Sequence, residues 1–75
     1  MAIATKKINR LKVILAEKDK TNRWLAEEIG YTEGMVSRWV SNTKQPPLET
    51  LYKISLLLKV DIKDLIESNS HLFKK

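Results

Sequence analysis

The chain contains no cysteine, so neither a disulfide nor a thiolate metal site can stabilise it. It also lacks any apolar run of the roughly 18 residues that a membrane span requires, and its N-terminus has no apolar stretch of the signal-peptide kind. A chain of 75 residues is close to the lower limit for one packed core. These absences predict a single small cytoplasmic domain that is held together by apolar packing alone.

Residues suited to catalysis are equally scarce. The chain has one histidine, His71, which falls in an expected tail and has no obvious partners for binding a metal. It has no glycine-rich phosphate loop and no two carboxylates placed to act as an acid and a base. The sequence therefore predicts a protein that is not an enzyme and that uses no cofactor or metal.

The chain has fewer acidic residues than basic ones. Fourteen Lys and Arg residues stand against nine Asp and Glu residues, which gives a net charge of +5, and 43% of the residues are hydrophobic. The basic residues crowd the first 23 positions, where only Glu17 and Asp19 oppose them. A surface this basic favours a polyanionic partner, although a charge that serves only solubility fits equally well. Charge alone therefore suggests nucleic acid without deciding for it.

Apolar residues recur at helical spacing, and no alternation is long enough to predict a strand. Thr21 and Thr32 suit helix N-caps because a hydroxyl can accept a free amide hydrogen, and Asp61 suits the cap of a short last helix. Gly30 suits the turn between two helices because glycine adopts positive φ without steric cost. The pattern predicts an all-α, compact five-helix fold with helices at residues 6–18, 22–29, 32–41, 48–58 and 62–67. The domain is expected to span residues 1–67, and residues 68–75 form a C-terminal tail.

The stretch from Thr21 to Asn42 contains two helical patterns joined by Gly30-Tyr31-Thr32. Ala26 is small, which suits two helices that cross steeply with their backbones close together. A generic helical hairpin would show part of the same pattern. The residues expected to be buried in this stretch are Leu25, Ala26, Ile29, Val36 and Trp39.

In this register the chain resembles the helix-turn-helix domain of the Cro and phage-lambda-repressor type, often called the Xre family. The resemblance covers about four fifths of the chain. The chain departs from the family at Asn22, where Gln is common, and at residues 40–42, where Glu-Asn-Gly is common, although Asn42 tolerates positive φ. The resemblance rests on Thr21, Leu25-Ala26-Glu27, Ile29-Gly30, Val36-Ser37-Arg38-Trp39, Pro46, Leu48-Glu49-Thr50-Leu51, Ile54 and Val60.

The resemblance implies a lambda-repressor-like domain whose third helix, residues 32–41, enters the major groove of double-stranded DNA while the second crosses the backbone. Arg38 is the best candidate base reader because a guanidinium can donate two hydrogen bonds to guanine, although a phosphate contact also fits it. Glu33 could accept from cytosine or only interact with the helix dipole. The candidate base contacts are Thr32, Glu33, Gly34, Met35, Ser37 and Arg38. The candidate phosphate contacts are Arg10, Asn22, Arg23, Asn42, Thr43, Lys44 and Gln45.

Three other residues keep two or more interpretations. Met35 could meet a thymine methyl or pack in the core, and Thr32 could contact a base or only cap its helix. Trp24 could stack on a sugar, pack on the first helix or join a partner interface. Gly34 lowers helix propensity by roughly 1 kcal/mol relative to Ala, and close approach to DNA is one reason to tolerate that loss.

The expected function is sequence-specific DNA binding by a small bacterial or phage-type transcriptional regulator, a repressor, associated with the nucleoid in the cytoplasm. The resemblance implies a pseudo-palindromic operator read by a homodimer. The alternatives are a protein-interaction module of the same fold, with DNA binding secondary or absent, and non-specific nucleoid binding. Excess apolar residues near the C-terminus place the predicted dimer contact on the fifth helix and tail, through Ile62, Leu65, Ile66, Leu72 and Phe73.

Overall fold

The computed structural model describes residues 7–73. Its four α-helices are α1 Leu11–Glu17, α2 Asn22–Ile29, α3 Glu33–Val40 and α4 Leu48–Leu58, and two 3₁₀ helices follow at Ile62–Leu65 and Ser70–Leu72. Within residues 7–73 there is no strand, only an isolated antiparallel bridge between Asn9 and Ile66. The expected all-α class is confirmed. None of the helices in this range is both long and apolar enough to cross a membrane.

Local signals set the ends of α2 and α3. The side chain of Thr21 accepts a hydrogen bond from the amide of Trp24 at 3.0 Å, and that of Thr32 accepts one from the amide of Met35 at 3.1 Å. Gly30 ends α2 with a φ of 77°, a conformation that a residue with a Cβ adopts at a steric cost. Both expected caps and the expected glycine turn are confirmed.

The core lies between the four α-helices and the 3₁₀ helix Ile62–Leu65, and within it α2 and α3 pack closely against each other. Trp39 is the largest buried side chain, and its ring meets Tyr31 edge-on with the centroids 4.8 Å apart. The hydroxyl of Tyr31 in turn lies 3.3 Å from that of Thr50 on α4, within hydrogen-bonding distance. The buried apolar residues are Leu11, Ile14, Leu15, Leu25, Ala26, Val36, Trp39, Leu51, Ile54, Leu58 and Leu65. Of the residues expected to be buried between Thr21 and Asn42, Ile29 alone is only partly buried.

The first helix is shorter than the predicted range of residues 6–18. Residues 7–10 are not helical, α1 begins at Leu11, and residue 6 lies outside the described range. The backbone before Leu11 is held elsewhere, because the amides of Ile8 and Asn9 each donate to the side-chain oxygen of Asn42 at 2.9 Å. Ile8 therefore lies outside the helix and is 40% exposed instead of sharing its buried stripe.

The fifth α-helix, predicted at residues 62–67, is instead the 3₁₀ helix Ile62–Leu65. Its start follows the prediction, since the side chain of Asp61 accepts from the amide of Lys63 at 3.0 Å. It ends early because Ile66 turns into extended backbone and the segment pairs with the N-terminal strand-like residues. The amide of Arg10 donates to the carbonyl of Leu65, and the amide of Glu67 donates to the carbonyl of Ile8, both at 2.8 Å. The count of five α-helices is not confirmed.

Leu65 belongs to the core and not to an exposed dimer surface. Its side chain is 0% exposed, so a partner could reach it only if the 3₁₀ helix moved away from the core. Ile62 is partly buried against the same core, whereas Ile66, Leu72 and Phe73 are exposed. The part of the predicted dimer contact that rests on Leu65 is therefore wrong.

Candidate nucleic-acid interface

One face of α3 is fixed to the core and the opposite face is open to solvent. Val36 and Trp39 are buried, and they lie three residues apart on one side of the helix. Of the six candidate base readers, five are exposed, at the N-terminal end of α3 or along its outer face: Thr32, Glu33, Gly34, Ser37 and Arg38. The sixth, Met35, is partly buried against the core.

The exposed polar side chains of α3 have no role inside the described part of the chain. No hydrogen bond or ion pair within residues 7–73 engages the side chains of Glu33, Ser37 or Arg38. Thr32 differs, because its hydroxyl is the N-cap of α3. Met35 also differs, because it is partly buried and packs against the core. The three unbonded side chains are therefore the ones available to an external partner.

Neither steric space nor backbone conformation within residues 7–73 requires a glycine at position 34. A Cβ built at this position meets no atom within 4 Å, and the backbone there is not in the positive-φ region. Glycine in a helix nevertheless destabilises it by about 1 kcal/mol relative to Ala. Packing among the described residues does not explain this loss.

The loop after α3 folds back onto the end of that helix. The carbonyl of Arg38 accepts hydrogen bonds from the amides of Thr43 at 3.0 Å and Lys44 at 3.2 Å. The hydroxyl of Ser41 also donates to this carbonyl and bonds to the hydroxyl of Thr43 at 2.8 Å. These contacts hold Thr43 and Lys44, both exposed, close to the C-terminal end of α3.

A partly buried cluster of amide side chains anchors this loop to the N-terminal segment. The side-chain oxygen of Asn42 accepts from the amides of Ile8 and Asn9 and, at 3.1 Å, from the side chain of Gln45. Its side-chain nitrogen donates to the carbonyl of Asn9 at 3.2 Å. Asn42 has a φ of 63°, the left-handed conformation that its residue type tolerates. Asn42 and Gln45, both candidate phosphate contacts, thus have their side chains occupied within the protein.

Asn9 is the centre of the cluster, and it is not among the functional residues predicted from the sequence. It is 4% exposed, and its side-chain nitrogen donates to the carbonyl of Trp39 at 2.8 Å and to the side chain of Gln45 at 2.7 Å. Its side-chain oxygen accepts from the amide of Leu11 at 3.1 Å. The available signal was its residue type, since Asn just before an apolar stripe is typical of a helix start. Asn9 joins the start of α1 to the end of α3.

The remaining phosphate candidates lie in different settings. Asn22 is the first residue of α2 and is partly buried, and Arg23 forms an exposed ion pair with Glu27 at 3.5 Å. The guanidinium of Arg10 is directed at a different part of the chain, where it donates a hydrogen bond to the carbonyl of Asp64 at 3.2 Å. Arg10 is therefore engaged with the 3₁₀ helix Ile62–Leu65, whereas Arg23 stays at the surface of α2.

Trp24 packs against the core with part of its ring exposed. The ammonium of Lys20 lies 4.7 Å from the ring centroid, a distance at which a cation is attracted by the face of the ring. This contact places Lys20 beside the start of α2. Elsewhere in the described range, residues 7–73 hold no group of three His, Cys, Asp or Glu side chains that could bind a metal ion.

Comparison with known proteins agrees with this geometry. The family model of the Cro/C1-type HTH DNA-binding domain matches residues 10–70. No curated protein matches the chain. A crystal structure from Bacteroides fragilis, described as that of a candidate DNA-binding protein, is similar with 55% sequence identity and a TM-score of 0.79, over 80% of this chain and 97% of that one. The chain therefore belongs to the Cro/C1-type helix-turn-helix DNA-binding family.

Proposed function

We propose that the protein is a sequence-specific transcriptional regulator that inserts α3 into the major groove of double-stranded DNA and represses by occupying its operator. The observation that carries the proposal is the open face of α3, where Glu33, Ser37 and Arg38 have no bond within the described residues. Such a row of unbonded polar groups, on a helix whose other face is locked to the core, is what base recognition requires.

Arg38 has the central role in this proposal. It lies one turn after Gly34 on the exposed side of α3, and its guanidinium can donate two hydrogen bonds to the O6 and N7 atoms of guanine. Glu33 can accept from cytosine N4 and also interacts favourably with the N-terminus of α3. Ser37 can bond to more than one base. Base contacts by Thr32 and Met35 are secondary, because one caps the helix and the other packs against the core.

Phosphate contacts position the protein without reading sequence. We assign them to Asn22 and Arg23 at the start of α2 and to Thr43 and Lys44 in the loop after α3, since these residues lie at the two ends of the helix-turn-helix. Asn42 and Gln45 contribute by holding that loop in place, because their side chains are bonded to Asn9 and to each other. Arg10, bonded to the carbonyl of Asp64, contributes charge rather than a defined contact.

The regulator works as a homodimer on a pseudo-palindromic operator. A single α3 of 8 residues covers only a few base pairs, so two copies on half-sites about one helical turn apart give a longer and more specific site. Such a protein acts where its DNA is, in the cytoplasm of a bacterium or of a phage host. The test is selection of binding sites from a random duplex pool. One recurring sequence with an inverted repeat supports the proposal, whereas an unenriched pool would leave non-specific nucleoid binding.

Arg38→Ala and Lys44→Ala should separate base reading from phosphate binding. Arg38→Ala is expected to lose about 1–3 kcal/mol of discrimination at one base pair of each half-site. Lys44→Ala is expected to weaken all sequences by about the same factor and to reduce the salt dependence of binding. The measurement is binding of each variant to the selected operator and to its single-base variants. An Arg38→Ala protein that weakens on every sequence equally would show that Arg38 contacts phosphate.

The rival function, a protein-interaction module of the same fold, makes a different prediction about salt. With Arg23 and Lys44 each neutralising one phosphate, a dimer neutralises about four, and its affinity should fall roughly 100-fold between 50 and 200 mM salt. A mainly apolar protein interface would change little over this range. A flat salt response, together with no enriched sequence, would favour the rival.

A further inference from the structure

A stripe of exposed apolar side chains runs along α4. Leu48, Tyr52 and Leu56 recur every fourth residue, so they lie on one side of the helix, and they are 73%, 55% and 62% exposed. The opposite side of α4 is buried in the core through Leu51, Ile54 and Leu58, so the stripe is not part of the core that residues 7–73 form. We call Leu48, Tyr52 and Leu56 the α4 stripe.

From Leu48, at the N-terminal end of the stripe, the apolar surface continues into two grooves. One groove of about 500 Å³ is lined by Leu48, Tyr52 and Ile62 together with the charged residues Glu49 and Lys53. A second groove of about 190 Å³ connects Leu48 to Ile8, Pro46 and Ile66, among other residues. No candidate base reader on α3 lines either groove, and the first groove also contains none of the candidate phosphate contacts. A contiguous apolar area of this kind is typical of an interaction site.

The charges beside the stripe indicate what covers it. Glu49 and Lys53 are four residues apart and flank the stripe on the same side. Neither forms a salt bridge with any residue of the described range, although their i, i+4 spacing would allow one between them. Both charges are thus available to a partner that offers a cation and an anion in the reverse order along its length.

A second copy of this chain offers that order. We propose that the α4 stripe pairs with the α4 stripe of a second copy, with the two helices antiparallel about a twofold axis at Tyr52. Leu48 then meets the partner's Leu56, and Tyr52 meets the partner's Tyr52. With a rise of 1.5 Å per residue, the partner's Lys53 lies only about 3 Å along the axis from Glu49. The symmetry makes this ion pair twice, because a twofold interface repeats every contact.

This inference deepens the proposed function, since it gives the operator-bound homodimer its contact surface and replaces the contact through Leu65. An 11-residue helix is about 16 Å long, so a pair of such helices buries less than the roughly 800 Å² per partner of a standard interface. The dimer is accordingly weak in free solution and is completed on DNA, where the two half-sites hold both copies side by side. Self-association is measured without DNA, so its outcome is independent of whether the protein reads a sequence.

The decisive experiment reverses the two charges in separate proteins. In Glu49→Lys a lysine faces the partner's Lys53, and in Lys53→Glu a glutamate faces the partner's Glu49, so each variant alone should self-associate about tenfold more weakly than wild type. Mixed in equal amounts, the two variants place opposite charges together at both positions and should associate about as well as wild type. The measurement is sedimentation equilibrium of the full chain up to high micromolar concentration.

Three controls keep the result interpretable. Lys12→Glu changes the net charge by the same amount as Lys53→Glu but lies on α1, and it should leave self-association unchanged. Tyr52→Glu should abolish it, and circular dichroism should show all variants folded, since the changed side chains are exposed. A double variant, Leu72→Ser with Phe73→Ser, tests the tail and should still dimerise.

Three results would overturn the inference. The first is a wild-type chain that remains monomeric at high micromolar concentration, which would leave the stripe to a different protein. The second is a mixture of the two charge variants that associates no better than either one alone. The third is loss of the dimer in the tail double variant with no change in Tyr52→Glu, which would move the contact to residues 72 and 73.

Discussion

Two neighbouring parts of the proposed DNA surface use their polar side chains in opposite ways. On α3, Glu33, Ser37 and Arg38 have no partner within the described residues, and each projects from a helix that the core holds rigid. In the loop that follows, Asn42 and Gln45 are bonded to Asn9 and to one another. The first set is available to bases, and the second set keeps the backbone of the loop in place. Membership of a recognition motif therefore does not fix a residue's role; its existing hydrogen bonds do.

Asn42→Ala should produce the largest effect, because it removes the amide that holds the loop. The backbone groups of Ile8 and Asn9 would lose their partner, and Ala would occupy a positive φ, so we expect a loss of about 2–3 kcal/mol in the free energy of unfolding. Arg38→Ala should change it by less than about 0.5 kcal/mol. Urea denaturation of both variants measures the contrast.

The matched control is Asn42→Gly, which removes the same amide but tolerates the positive φ. It should retain most of the loss seen with Ala and be more stable than it by about 1 kcal/mol. Equal unfolding free energies for Asn42→Ala and Arg38→Ala would remove the distinction between the two parts of the surface.

Asn9→Asp tests the buried end of the same cluster. The aspartate keeps the oxygen that accepts from the amide of Leu11, but it sets a second oxygen against the carbonyl of Trp39 and the side-chain oxygen of Gln45. We expect a destabilisation of about 1–3 kcal/mol, since a buried donor is lost and acceptors face each other. Asn69→Asp, at an exposed position, makes the same change in charge and should have almost no effect in thermal denaturation. Similar melting temperatures for the two variants would contradict the role of Asn9.

Gly34→Ala should have a smaller effect on stability than the changes at Asn42 and Asn9, and it should strengthen folding while weakening DNA binding. The new methyl meets no atom of the protein, so the fold should gain up to about 1 kcal/mol in helix propensity. DNA affinity should fall, because the methyl occupies the space between α3 and the bases. Gly30→Ala, at a φ of 77°, should instead lose about 1–2 kcal/mol. Paired melting and binding curves give both quantities, and unchanged affinity for Gly34→Ala would mean that α3 does not approach DNA closely at residue 34.

The helix-turn-helix unit was predictable because its signals are local. The hydroxyls of Thr21 and Thr32 cap their helices by accepting hydrogen bonds from amides only three residues further along the chain. Gly30 makes the turn through its own positive φ. Apolar spacing then identified Val36 and Trp39 as buried, which the structure confirms. Local residue types at short separations leave few conformations to choose from, so a single sequence suffices for this part of the fold.

The ends of the domain were not predictable in the same way. The partners of Asn9 lie 30 and 36 residues further along the chain, and no periodic pattern shows which distant amide a side chain will meet. Apolar spacing therefore extended the first helix through Ile8, which the structure leaves exposed. The burial of Leu65 could not be predicted for a related reason, because it depends on how the 3₁₀ helix Ile62–Leu65 packs against α4. The individual DNA contacts remain predictions. Hydrogen bonding within the structure divides the candidate residues into those whose side chains are available to DNA and those whose side chains are already bonded.

A methylation footprint on the selected operator shows directly whether α3 reads bases in the major groove. Dimethyl sulfate attacks guanine at N7 in the major groove and adenine at N3 in the minor groove. The protein should protect guanine N7 in both half-sites, and Arg38→Ala should restore the reactivity of one guanine in each while the other protections persist. Protection of adenine N3 with guanine N7 fully reactive would mean that the protein binds in the minor groove and that α3 does not read bases in the major groove.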